Sequence, residues 1–194
     1  LSGSYTLGSG GDYDSISTVL MNDLSIYGIS GPVTFNILAG TYDEQVALGQ
    51  VYGASATNTI TFQSADANAD SVIWENTANS SYKNYVLMLN GTDHITLKNI
   101  TFKNLGASYS RKIVLTGATD SVTIDSIKFV GPVTNSSHFN YTSIIGYSAD
   151  AAGLKIKNST FTDGGGYAIY LSGSNYPTGL EISGNTFTDT YSGI

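Results

Sequence analysis

Two aspartates, Asp163 and Asp189, each stand two residues after a phenylalanine, Phe161 and Phe187, in consecutive copies of one short motif. That register puts like charges on neighbouring layers of whatever the motif builds, and like charges so close repel. A Ca²⁺ ion held by both carboxylates and nearby carbonyls would resolve the repulsion, and side chains splayed into solvent would do the same. A second chemistry is aromatic. The chain has 14 tyrosines, several of them in bends or loops, and Tyr82, Tyr109 and Tyr141 lie among Asn and Ser residues. Exposed rings in such company suit stacking on sugar rings with hydrogen bonds to hydroxyls, although the same rings could simply pack loops onto the wall of the fold. The histidines form no pair: His94 follows Asp93 in a bend, and His138 lies in the polar stretch Thr134 to Tyr141. Without ligand spacing or a serine-nucleophile signature, both read as surface residues. Cysteine is absent, which excludes thiolate metal sites and disulfides.

The elements that must position these side chains are repeats. His94-Ile-Thr-Leu-Lys-Asn-Ile-Thr-Phe102, Ser121-Val-Thr-Ile-Asp-Ser-Ile-Lys-Phe129, Gly153-Leu-Lys-Ile-Lys-Asn-Ser-Thr-Phe161 and Gly179-Leu-Glu-Ile-Ser-Gly-Asn-Thr-Phe187 are copies of one another. Their phenylalanines are 27, 32 and 26 residues apart, and Phe35 and Phe62 extend the series with a further 27-residue step before a 40-residue gap. A period of this length implies stacked coils. In each copy two aliphatics alternate with polar residues, then Asn, Ser or Gly interrupts before the Phe, which reads as strand, bend, strand. Further short apolar runs, such as Val86 to Leu89, Ile113 to Leu115 and Ala168 to Leu171, supply a third strand per coil. The fold expected is all-β, a parallel β-helix, with coils over 31–194 and a cap over 1–30. In the cap, Ile16, Val19, Leu20, Leu24 and Tyr27 fall on one face of a helix over about 15–27, with Asp14 as N-cap and Gly28 as stop. Such an amphipathic helix would cover the open end of the first coil.

Composition narrows the partners. Only 12% of residues are charged, so the outer surface must be built largely from Ser, Thr and Asn. The net charge of −7 disfavours nucleic acid and anionic membranes. No run has the length and apolarity of a membrane-spanning helix. The start, Leu1-Ser-Gly-Ser, carries no charged region or apolar core of a signal peptide, so the chain is expected to be cut from a longer precursor.

Several stretches carry a family resemblance. Tyr5-Thr-Leu-Gly-Ser-Gly-Gly-Asp-Tyr-Asp-Ser-Ile16, then Val33-Thr-Phe-Asn-Ile-Leu-Ala-Gly-Thr-Tyr-Asp-Glu-Gln-Val46 and Ile60-Thr-Phe62, resemble the opening of the pectin-lyase-like superfamily, including pectin methylesterases. Ser30-Gly-Pro-Val-Thr-Phe-Asn-Ile37 ahead of Gly40-Thr-Tyr-Asp-Glu-Gln45 also resembles a module that recurs in very large secreted bacterial surface proteins. The resemblance implies a right-handed β-helix and a secreted or cell-surface location. It also implies chemistry that can be checked. The methylesterase stretch Gly-Xaa-Val-Asp-Phe-Ile-Phe-Gly is missing, and Asp125 matches only as an aspartate on a strand. Asp125 instead shares an outward register position with Lys98 and Lys157, while Lys155 stacks on Glu181, a cross-strand charge ladder. Lyase chemistry needs a carboxylate cluster for Ca²⁺ and a base for the sugar C5 proton. The single arginine, Arg111, sits beside Lys112 in Ser108 to Ile113 and reads as a solvated turn.

No catalytic residue is therefore assigned. The first reading is a non-catalytic structural or adhesive β-helix module of a secreted or cell-surface bacterial protein that binds glycans; the alternative is a polysaccharide lyase or carbohydrate esterase acting on acidic glycans. Glycan contacts are expected from loops 75–84 and 131–142, whose insertions would explain the irregular Phe spacings. No cofactor is implied beyond the Ca²⁺ at Asp163 and Asp189. Because Tyr191-Ser-Gly-Ile194 begins a strand, the last coil is expected either to continue into further coils or to dock head to tail on another copy.

Overall fold

The computed structural model describes residues 1–147, 150–172, 177–191 and 193. They form a parallel β-helix of about six turns built on three parallel sheets. The first sheet stacks Gly3–Leu7, Val33–Ile37, Ile60–Ser64, Ile95–Lys98, Thr123–Asp125, Lys155–Lys157 and Glu181–Ser183. The second stacks Gly40–Asp43, Val72–Glu75, Thr101–Lys103, Lys128–Val130, Thr160–Thr162 and Thr186–Thr188. The third stacks Val46–Leu48, Leu87–Asn90, Ile113–Thr116, Ile144–Tyr147 and Ile169–Ser172.

The bends between the first and second sheets explain the interruption in every repeat. Asn99, Ser126 and Asn158 adopt left-handed backbone, with φ of 53°, 56° and 52°, and Gly184 takes the same place at 65°. The left-handed residue turns the chain while its N–H still points along the solenoid axis: Asn99 N donates to Asp125 O, Ser126 N to Lys157 O and Asn158 N to Ser183 O. Turning the coil thus leaves no buried backbone donor unpaired at this corner.

The core is a set of columns, and one expectation about them is corrected. Phe35 and Phe62 do not belong with the later phenylalanines. They pair in the first sheet, where Leu97 follows Phe62. In the second sheet the column is Tyr42, Trp74, Phe102, Phe129, Phe161 and Phe187. The apparent 40-residue gap is a change of column; Trp74 holds the expected place 28 residues before Phe102. A search for phenylalanine alone misses this, because the column selects a large flat ring and indole meets that need. Neighbouring ring centroids lie 5.1 Å apart for Trp74 and Phe102, 4.7 Å for Phe129 and Phe161, and 5.0 Å for Phe161 and Phe187.

The cap helix is present but irregular, with α-helix at Ile16–Thr18 and Ser25–Tyr27 flanking a π-helical stretch, Val19–Leu24. Ile16, Val19, Leu20 and Leu24 are buried as expected, whereas Tyr27 is 72% exposed. The wider π turn rotates later residues off the helical face that a uniform period assigns. The N-cap is Ser15, whose Oγ accepts from Thr18 N, and not Asp14; Gly28 ends the helix with φ of 64°. A further cap comes from the first coil: Glu44 Oε1 and Oε2 accept from Ile16 N at 3.1 Å and Ser17 N at 2.6 Å. The Tyr-Asp-Glu stretch is therefore structural here. Tyr42 Oη donates to Leu38 O at 2.8 Å and sits 2.3 Å from where a Cβ on Gly8 would lie, which fixes glycine at that position.

Urea denaturation should separate the two devices. Phe129→Ala is expected to cost about 3–5 kcal/mol through the hole it leaves in the ring column, whereas Glu44→Ala is expected to cost about 0.5–2 kcal/mol through the lost cap.

Candidate functional site

The corner between the second and third sheets carries the insertions. The connection is residues 44–45 in the first coil and grows to 76–86, 104–112 and 131–143 in the next three. Backbone amides in such loops need partners, and two buried asparagines supply many of them. Asn104 Oδ1 accepts from Gly106 N at 3.1 Å and Ala78 N at 3.5 Å, while its amide donates to Arg111 O at 3.0 Å. Asn84 Oδ1 accepts from Arg111 N at 2.9 Å, and its amide donates to Asn140 O at 3.0 Å. Each clamp ties loops of different coils, so the three insertions form one ridge.

From that ridge Arg111 reaches over the third sheet. Its Nε donates to Phe139 O at 3.0 Å and its Nη2 to Tyr147 Oη at 2.5 Å, with the guanidinium carbon 5.0 Å from the Tyr147 ring centre. Between the two ends of this strap, Val114 and Ile145 are paired in register on the outer face, yet are only 7% and 0% exposed. Burial pushes the Arg111 pKa down and Tyr147 partly offsets it, but a guanidinium remains charged at any physiological pH. Among the described residues no carboxylate pairs with Arg111. Next to the strap, Phe139 stacks on Tyr167 with centroids 5.6 Å apart and meets Tyr170 at 4.6 Å, and Tyr167 and Tyr170 are 5.0 Å apart. These rings are partly exposed. The arrangement is a cation beside a platform of three rings.

The residues singled out in the sequence are distributed unevenly over this corner. Tyr141 belongs to the ridge and is half-buried, with its Oη donating to Ala107 O at 2.9 Å; Tyr109 is half-buried nearby, on the loop of the preceding coil. Tyr82 stands clear of both at 93% exposed. Asp163 and Asp189 both adopt left-handed backbone with φ of 55° and line a cleft of about 750 Å³ with Val133, Thr134, Asn135, Thr190 and Tyr191. Among the described residues no third His, Asp or Glu joins them in a metal-binding group. Asp125 lies in the foreseen ladder, in register with Lys98 and Lys157, with Lys157 Nζ at 3.8 Å. His138 caps a 3-10 turn, accepting from Asn140 N at its Nδ1. Tyr176, a further loop tyrosine of the sequence, lies outside the described residues, and the strand expected at Tyr191 to Ile194 falls partly outside them.

The reading of Arg111 and Lys112 as a solvated turn is corrected: Arg111 is half-buried and Lys112 is 0% exposed. A β-bulge is the cause. Lys112 N and Ile113 N both donate to Ser143 O, and Val86 N and Leu87 N both donate to Lys112 O. With two residues opposite one, alternation fails and both Lys112 and Ile113 turn inward. The adjacent buried pair Val86 and Leu87 was a visible sign of the same irregularity. Nothing in the local sequence distinguishes the platform rings Phe139, Tyr167 and Tyr170 from other aromatics, because they meet only through coil stacking.

No family model matches the chain, and no curated protein sequence does. Solved structures do share its fold. A pectin methylesterase variant in complex with a hexasaccharide superposes with a TM-score of 0.61 at 10% identity, covering 95% of this chain and 66% of that one. The pectin methylesterase from Aspergillus niger gives 0.57 at 12% identity, covering 99% and 86%, and that from carrot gives 0.56 at 15%, covering 94% and 62%. The chain spans about two thirds of the length of the first and third of these. The fold is the right-handed parallel β-helix of the pectin-lyase-like proteins.

The ridge depends on its amide clamps. Asn104→Ala removes the acceptor of Gly106 N and Ala78 N, and is expected to cost about 1–3 kcal/mol. Hydrogen exchange should speed up first in residues 76–86 and 104–112, well before the sheets lose protection.

Proposed function

We propose that the chain is a non-catalytic, glycan-binding β-helix module of a secreted or cell-surface protein, and that it binds along the outer face of the third sheet and the adjoining ridge. The observation that carries the reading is the ring platform Phe139, Tyr167 and Tyr170 beside the Arg111 guanidinium. A sugar presents an apolar C–H face and a rim of hydroxyls, and partly exposed rings with adjacent fixed donors complement both. Tyr82, Tyr109 and Tyr141 extend the proposed contact along the ridge. A pectin methylesterase variant of the same fold, solved in complex with a hexasaccharide, lends support.

The non-catalytic half of the proposal is supported by what surrounds the acids. Asp125 accepts from Ser126 Oγ and Asn158 Nδ2 and lies between lysines in register, the surroundings of a structural carboxylate. Arg111 spends its donors on Phe139 O, Asn140 Oδ1 and Tyr147 Oη, so it is placed to bind and not to take a proton. A second reading, a carbohydrate esterase or polysaccharide lyase, draws its support from the fold shared with pectin methylesterases.

Calorimetric titration with a panel of neutral and acidic oligosaccharides tests the proposal. Tyr170→Ala and Phe139→Ala should each weaken binding about tenfold, the order of one lost ring contact, while Tyr52→Ala on the cap side leaves it unchanged. Binding indifferent to both platform variants, or steady release of methanol or unsaturated sugar ends by the wild-type chain, would overturn it.

A further inference from the structure

Among the described residues, three buried side chains in the ridge corner have no hydrogen-bond partner: Ser110 Oγ, Lys112 Nζ and Thr142 Oγ1. All three residues are 0% exposed. They come from two adjoining coils. Ser110 N donates to Asn140 O and Lys112 N to Ser143 O, contacts that bracket Thr142. One glycine turn faces two of them, since a Cβ on Gly164 would sit 3.4 Å from Lys112 Nζ and a Cβ on Gly166 would sit 3.4 Å from Thr142 Oγ1. Gly131 encloses the amine from another side, where a Cβ would lie 2.7 Å from Nζ. Glycine at position 131 admits the amine, because a side chain there would collide with it.

A buried polar atom without a partner costs about 1–3 kcal/mol, and an ammonium costs more. Three together, with one cation among them, ask for an occupant that accepts hydrogen bonds and carries negative charge. The three ion pairs among the described residues do not include Lys112, so no carboxylate oxygen lies within 4.0 Å of its nitrogen. Asp163, the acid that acts on Lys112 through its charge, helps from farther away. Arg111, the next residue, points outward to Phe139 O and Tyr147 Oη. A water molecule would satisfy the hydroxyls but leave the ammonium uncompensated. We propose that Lys112, Ser110 and Thr142 form an internal site for a monovalent anion of halide size, which locks the insertion loop 131–143 onto the coil beneath it.

The site must be linked to pH. Burial pulls the Lys112 pKa down from 10.5 to about 7 without an occupant. The folded chain then releases this proton before the unfolded chain does, so in anion-poor buffer stability rises from about pH 7 to pH 10. A bound halide favours the ammonium, raises this pKa and flattens that rise.

Crystals of the wild-type chain soaked in bromide at pH 6 supply the direct test. An anomalous peak within hydrogen-bond reach of Lys112 Nζ and at least one of the two hydroxyls supports the site; an ordered water without anomalous signal there, or an apolar collapse around a neutral amine, overturns it. In solution, thermal melting at constant ionic strength should show a rise of about 3–6 °C when chloride replaces gluconate at tenfold over its dissociation constant at pH 6. That difference should vanish at pH 10 and in Lys112→Met, whose thioether chain fills a similar volume. An equal chloride response in Lys112→Met, or none in the wild type, contradicts the proposal.

Discussion

Everything in this molecule depends on one constraint: each coil must hydrogen-bond, residue for residue, to the coil above and below it. Layers about 4.8 Å apart leave no latitude in register. A residue type that works once in a coil is therefore required again in the next, which is why an aromatic column runs from Tyr42 to Phe187 and a left-handed bend recurs at Asn99, Ser126, Asn158 and Gly184. Outward charges obey the same rule and settle into alternating order, as Lys98, Asp125 and Lys157 do.

Freedom exists only where the ladder is interrupted. The corner between the second and third sheets is such a place, and there the chain inserts loops, pins them with Asn84 and Asn104, and admits a bulge at Lys112. The consequences are concentrated locally. An arginine lies along the outer face, rings from two coils gather into a platform, and a lysine is turned into the interior. A rigid scaffold carrying variable loops is the usual way for a solenoid to acquire a binding surface.

The regular part of this architecture was legible in the sequence, and for a physical reason: period-two aliphatics, a bend residue and a ring repeat because stacking makes them repeat. The cap helix was legible through its apolar face, though its π turn was not, so Tyr27 was assigned to the wrong side. Trp74 was missed because the column tolerates any large flat ring. The candidate site was far less visible. Phe139 and Tyr170 are 31 residues apart and meet only because coils stack. Arg111 and Lys112 look like a solvated pair until the bulge, which depends on the carbonyl of Ser143 in the next coil, fixes their directions.

Binding is proposed for the outer face of the third sheet, next to the inserted ridge, and not for the polar face of the first sheet where Asp125 lies. A crystal structure of the chain grown with an oligosaccharide that it binds is the most direct measurement. Sugar rings should stack on Phe139, Tyr167 and Tyr170, with a hydroxyl or carboxylate oxygen in reach of the Arg111 guanidinium. Sugar density lying instead across Asp125 and its neighbours on the first sheet, with the ring platform untouched, would contradict the proposal.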